Sequence, residues 1–108
     1  MARGREYEDA ACRFLERQGL RLREKNWRLR FGEIDLVMED GATLVFVEVK
    51  YRSSDVMGLP AESVNTSKQE RIRRLAAVYL AKQGTTTDCR FDVVGILGDR
   101  ISWLKGAF

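Results

Sequence analysis

The run Leu44-Val45-Phe46-Val47-Glu48-Val49-Lys50 limits what this chain can fold into more than any other stretch of it. Its β-branched and aromatic residues predict a strand. Alternate side chains of a strand share a face, so Leu44, Phe46, Glu48 and Lys50 point one way and Val45, Val47 and Val49 the other. Both faces begin apolar, which predicts a central strand covered on both sides. Such a strand should not end in ionised groups unless they are paired or bind metal, because burying a bare charge is expensive. Upstream, Gly32-Glu33-Ile34-Asp35-Leu36 reads as a second strand carrying two more carboxylates.

The flanking sequence supplies an architecture. Residues 5–18 read as a helix, with Tyr7, Ala11, Phe14 and Leu15 at helical spacing and Gly19 as a stop. Glu8 falls on the inward edge of that helix, although an acid favoured by the helix dipole is the simpler reading of it alone. Residues 27–31 form a strand with an arginine face, interrupted by a bulge or bend at Gly32 and resumed over Glu33–Met38. Asp40-Gly41 is a hairpin signal that pairs this strand antiparallel with 43–51 and brings Asp35 beside Glu48. An irregular loop spans 53–65. A second helix over 67–82 follows, with Ser67 and Glu70 at capping-box spacing, an Ile72, Leu75, Ala76, Tyr79 stripe and Gly84 as its end. Thr85-Thr86-Thr87 reads as a linker, and strands over 90–97 and 101–104 close the chain around a Gly98-Asp99 turn. A helix between the 44–51 and 91–97 strands favours a parallel pair with a right-handed crossover. The expected fold is α/β, a mixed β-sheet flanked by helices in the order α-β-β-β-α-β-β.

At 108 residues the chain is long enough for one domain and too short for two. Its net charge of +3 is unevenly spread. Residues 1–30 hold nine basic and five acidic side chains, whereas 31–49 hold Glu33, Asp35, Glu39, Asp40 and Glu48 and no basic one. The chain has no histidine, which excludes a His-based triad, and its two cysteines lack zinc-ligand spacing. Cys12 and Cys89 read as reduced core residues, with one bridge as the lesser alternative. The segment MARGREYEDA has no apolar signal-peptide core, and no apolar run reaches membrane-spanning length. A cytoplasmic protein with no membrane partner is expected.

Asp35, Glu48 and Glu8 gathered beside Lys50 would make an acidic site. Two carboxylates ~4 Å apart at an effective dielectric of ~20 repel by ~4 kcal/mol, so such a site calls for a proton or a cation. All-oxygen ligands select Mg2+ or Mn2+. Lys50 would position a water and stabilise charge building on a phosphate. Arginines flanking the site suit a polyanionic substrate. Together these features describe metal-dependent phosphodiester hydrolysis, with solvated charges or a Glu48–Lys50 ion pair as the bland alternative.

These same residues carry a family resemblance. Gly32-Glu33-Ile34-Asp35-Leu36, the run Val45–Arg52, Lys68-x-x-Arg71, Arg90-Phe91-Asp92-Val93-Val94, Asn26-Trp27-Arg28 and Ala107-Phe108 closely resemble the YraN-like family of small bacterial proteins, over essentially the whole chain. That family is similar to the restriction-endonuclease-like superfamily with its PD-(D/E)xK motif, and in particular to Holliday junction resolvases of archaea. The resemblance implies a restriction-endonuclease-like core and an Mg2+-dependent endonuclease acting on DNA, with branched or junction DNA as one substrate form. It puts Asp35 at the metal-binding aspartate, Glu48 at the acidic position, Lys50 at the catalytic lysine and Glu8 at the helix-borne carboxylate. Ile34 stands where the literal motif has proline. Glu33 would assist at the metal or pair with an arginine. Arg28, Arg30, Arg52, Lys68 and Arg71 are candidate DNA contacts, with a solvated helix face as the alternative for the last two. Asp92 reads as structural rather than phosphate-facing. The resolvase likeness implies a homodimer, since a symmetric junction needs two cuts. The alternative function is a non-catalytic nucleic-acid-binding or adaptor module on the same scaffold.

Overall fold

The computed structural model describes residues 2–52, 64–84 and 87–108, with side chains from residue 4 onward. Helix α1 spans Ala2–Arg17, strands β1, β2 and β3 span Arg21–Leu29, Gly32–Asp40 and Thr43–Arg52, helix α2 spans Thr66–Gln83, and strands β4 and β5 span Cys89–Leu97 and Arg100–Leu104. The sheet order is β1-β2-β3-β4-β5, with β3–β4 parallel and every other pair antiparallel. The mixed α/β architecture, the element order and the central place of β3 are those expected. The loop expected over 53–65 lies outside the described residues apart from Val64 and Asn65, and the 85–87 linker apart from Thr87.

Alternation along β3 divides the core in two. Val45 and Val47 pack with Ala11, Cys12 and Leu15 of α1, while Leu44 and Phe46 pack with Leu75, Ala76 and Tyr79 of α2. Tyr79 is fully buried, edge-on to both Trp27 and Phe46 at 5.2 and 5.8 Å between centroids. Such T-shaped pairs satisfy the ring quadrupoles as well as burying area. Glu48 and Asp92 are the buried charged residues among those described.

Asp92 is structural. Its carboxylate accepts hydrogen bonds from the Arg90 guanidinium, from Trp103 Nε1 at 2.9 Å and from the Gly106 N–H at 2.9 Å. Arg90 also reaches Asp40 at 3.0 Å, so β4 is tied to the β2–β3 turn and to the C-terminal residues.

Several local expectations are corrected. The arginine-rich strand begins at Arg21, and 27–31 is not one strand with a bulge at Gly32. β1 and β2 form a hairpin closed by the Leu29↔Gly32 pair around Arg30-Phe31, and the irregularity lies between Leu22 and Glu24. Gly32 serves packing instead: a Cβ there would sit 3.1 Å from both Arg71 Cδ and Leu75 Cδ1 of α2. The β2–β3 turn is Gly41-Ala42, one residue later than expected, because Asp40 still pairs with Thr43. Helix α2 is capped by Asn65, whose side chain accepts from the Lys68 N–H, and not by Ser67. Gly84 ends it in the left-handed conformation that glycine adopts without strain, at φ 65°. Both cysteines are free; Cys12 is in the core but Cys89 is exposed at the start of β4.

Replacing Asp92 by alanine would leave the half-buried Trp103 indole N–H and the Gly106 N–H without this acceptor and Arg90 with only Asp40. We expect Asp92→Ala to lower the unfolding free energy in urea by roughly 3–5 kcal/mol. A loss below about 1 kcal/mol would contradict the structural role.

Candidate active site

The site forms where β1 and β2 exchange faces. In a regular strand residues two apart share a side. Lys25 pairs with Asp9 of α1 at 2.6 Å, yet Trp27 packs against Tyr79 of α2. On the neighbouring strand Leu36 lies in the α1 core and Ile34 in the α2 core. Lys25 pairs with Leu36 and Trp27 with Ile34, so both strands change sides at the same level. In β1 the change falls at Asn26, with φ of 53°, a conformation asparagine tolerates better than most residues. Asp35 lies at the same crossing. The exchange places Glu33 on the α1 side, within reach of Glu8.

Three carboxylates meet there. Glu8 of α1 and Glu33 and Asp35 of β2 each offer an oxygen, and these atoms lie within 4.8 Å of one another. The Asn26 amide bridges two of them, donating to Glu8 Oε1 at 2.7 Å and to Glu33 Oε2 at 2.6 Å. Arg28 reaches the other Glu33 oxygen at 2.7 Å. Burial works against the Glu33 charge, but the hydrogen bonds from Arg28 and Asn26 outweigh it and hold the carboxyl below its ordinary value. Glu33 is therefore paired with an arginine, one of the two readings made of it, and stands in the acidic group.

Asp35 links this group to the central strand. The β2–β3 ladder runs from Asp40↔Thr43 to Leu36↔Val47. Past that point the Val49 N–H donates to Asp35 Oδ2 at 2.8 Å, so a side chain takes the place of a backbone acceptor. Burial, then the charge of Glu48, and more weakly Glu8 and Glu33, push the Asp35 carboxyl up to about 8 against the Val49 hydrogen bond.

Glu48 and Lys50 lie on the α2 side of β3. Lys68, in the first turn of α2, sets its ammonium 2.5 Å from Glu48 Oε2, and Lys50 Nζ lies 3.4 Å from the same oxygen. Glu48 thus lies beside Lys50, as expected, and its charge acts on Asp35, but it is outside the group of Glu8, Glu33 and Asp35 that lie within 4.8 Å of one another. Lys68, expected at DNA or in solvent, is half-buried on Glu48. Burial opposes the Lys68 charge, but its bond to Glu48 outweighs that and holds the ammonium above its ordinary value. Burial and then Lys68 pull Lys50 below its own ordinary value, with Glu48 opposing. A stack of Tyr7 on Tyr51, 3.8 Å between centroids, holds the Glu8-bearing turn of α1 against the end of β3.

Arg28, Arg30, Arg52 and Arg71 are all exposed. Sequence reasoning gave Asn26 no role. The one signal was its type, since asparagine is scarce inside strands.

The family model described as Uncharacterised protein family UPF0102 matches residues 7–96, most of the chain. The chain belongs to the UPF0102 family. It is similar to UPF0102 proteins of Yersinia pseudotuberculosis and Yersinia pestis, 49% identical over 108 residues that cover 97% of this chain and 92% of each relative. The stretch of this UPF0102 protein that matches the family model contains Glu8, Asn26, Glu33, Asp35, Glu48, Lys50 and Lys68. Among the described residues no helix is long and apolar enough to cross a membrane.

Asp35 makes stability depend on pH. Without a cation the folded chain keeps this proton up to about 8, whereas an unfolded aspartate releases it near 3.8. Between those values the folded state binds more protons, so Asp35 makes stability fall as pH rises. Urea midpoints of the cation-free protein should decline from about pH 5 to about pH 8, and Asp35→Asn should flatten that decline. An unchanged slope in the variant would contradict the raised value.

Proposed function

We propose that this UPF0102 protein is a divalent-cation-dependent phosphodiesterase acting on DNA, of the restriction-endonuclease-like type. The observation that carries this reading is the convergence of Glu8, Glu33 and Asp35 on one another, within 4.8 Å. The donor set fits a hard cation: it is all oxygen, it lacks histidine and cysteine, and its Asp35 carboxyl is pushed up to about 8 by burial and the charge of Glu48, with Glu8 and Glu33 adding to the rise. Glu8, Glu33 and Asp35 would hold Mg2+ or Mn2+, with Glu48 able to join them on leaving Lys68. The ion would supply Lewis-acid polarisation of a phosphate and a more acidic water.

The remaining roles fall to the chain's own side chains. Burial and Lys68 disfavour the Lys50 ammonium, so Lys50 can release its proton to solvent and, as the free amine, take one from the attacking water. The water oxygen then bonds to phosphorus, the phosphorus–oxygen bond to the departing sugar breaks, and that oxygen takes a proton from solvent. Lys68, freed from Glu48, can pair with the phosphate. Arg28, Arg30, Arg52 and Arg71 suit the flanking phosphates. Branched DNA cut on two strands would engage two copies of the chain.

Nicking of supercoiled DNA and cleavage of a four-way junction test this. Cleavage should require Mg2+ or Mn2+ and stop in EDTA, and Asp35→Ala or Lys50→Ala should each slow it by about 100-fold or more. Activity that survives both substitutions would reject the site.

One observation favours a second reading: two lysines already neutralise Glu48. On that reading the chain is a non-catalytic nucleic-acid-binding or adaptor module. It would bind DNA in a salt-sensitive way without turnover, and binding would weaken on arginine removal but not on Asp35→Asn.

A further inference from the structure

Ten aromatic side chains are distributed through the chain, and nine of them pack ring on ring. Phe31 is the tenth. It sits at the tip of the β1–β2 hairpin, 44% exposed, with no ring against it among the described residues. What approaches it is charge. The Arg74 guanidinium lies 5.3 Å from the ring centroid. Arg71, three residues earlier and so on the same side of α2, lays its stem against Gly32. Arg30 precedes Phe31 in the turn. All three arginines are exposed, and none has an ion pair among the described residues.

We propose that Phe31, with Arg30, Arg71 and Arg74, forms a stacking platform for an unpaired base of DNA at the tip of the β1–β2 hairpin. An exposed ring with a guanidinium on one side and solvent on the other can take a base on its open face. Base-on-aromatic stacking is tolerant of sequence, and adjacent arginines hold the phosphates on either side. The platform shares a hairpin with the acidic group: Glu33 is two residues beyond Phe31, and Arg28 on the opposite strand is bonded to it. A base stacked on Phe31 would lie on the α2 side of the sheet, the side that carries Glu48, Lys50 and Lys68. Such stacking selects single-stranded or branched DNA over an intact duplex, whose bases are not open to the ring. The proposal rests on the nucleic-acid reading of the neighbouring site but not on catalysis there.

The test is fluorescence anisotropy of the full chain with a dye-labelled deoxythymidine oligomer and with a blunt duplex of equal length, in EDTA so that cleavage plays no part. The oligomer should bind more tightly than the duplex. Phe31→Ala should weaken oligomer binding about 10-fold and move duplex binding by less than about twofold. Phe31→Trp should restore the oligomer, with its added indole emission quenched on binding. Phe31→Leu keeps an apolar side chain in place should alanine disturb the hairpin, and it should also lose the oligomer preference. Three results would overturn the platform: no oligomer binding by the native chain, native-like oligomer binding by both Phe31→Ala and Phe31→Leu, or an equal loss on oligomer and duplex. Cleavage of DNA by a chain that fails this test would leave the nuclease reading standing. Stacking by a chain that never cleaves would leave the platform standing and remove the nuclease.

Discussion

Repulsion among carboxylates crowded at one end of an apolar sheet is the constraint around which this molecule is arranged. Glu8, Glu33 and Asp35 are drawn within 4.8 Å of one another, and the charge of Glu48 is felt at Asp35. Left alone, such a group would pull the strands apart. Four devices keep it together: the Asn26 amide clasps two of the acids, Arg28 partners one, Lys68 and Lys50 partner Glu48, and Asp35 keeps its proton. Each device offsets part of the repulsion, and the cation of the proposed site would offset it for all the oxygens at once.

The sheet explains why these residues meet. Because β1 and β2 swap sides at Asn26 and Asp35, residues that simple alternation would send to opposite faces reach the same place. The β2–β3 ladder gives way at that level, and the Val49 N–H turns to the Asp35 carboxylate. The apolar half of β3, buried between both helices, anchors Glu48 and Lys50 at a fixed height beside it. Preorganisation of this kind is what the proposed phosphodiesterase chemistry would require, since its donors must be in place before the charge develops.

Much of this was legible in the sequence. The unbroken apolar run before Glu48 fixed β3 as central, and the helix between two apolar strands fixed its parallel partnership with β4. Asp35 and Glu8, the acids singled out for one site, do converge, and Asp92 is structural as read. The failures along β1 and β2 share a physical origin. Counting by twos assumes regular dihedrals, and a single positive φ at Asn26 reverses the faces beyond it. The same assumption hid the Arg30-Phe31 turn, which looked like continued alternation. Lys68 could not be matched with Glu48, because that contact joins a helix to a strand through segments whose packing no local pattern encodes.

The central claim, that Glu8, Glu33 and Asp35 form one cation site, is tested most directly by Mn2+ titration followed through the loss of the free-ion paramagnetic resonance signal. Glu33→Gln is the informative variant, because Glu33 belongs to this site by geometry while Glu48 would be the natural choice by motif. The native chain should bind Mn2+ with Asp35→Asn abolishing binding, Glu33→Gln weakening it strongly, and Asn26→Gly, which removes the amide clasp, weakening it by about 10–100-fold. Absence of Mn2+ binding by the native chain, or binding indifferent to Glu33 and Asp35, would contradict the account.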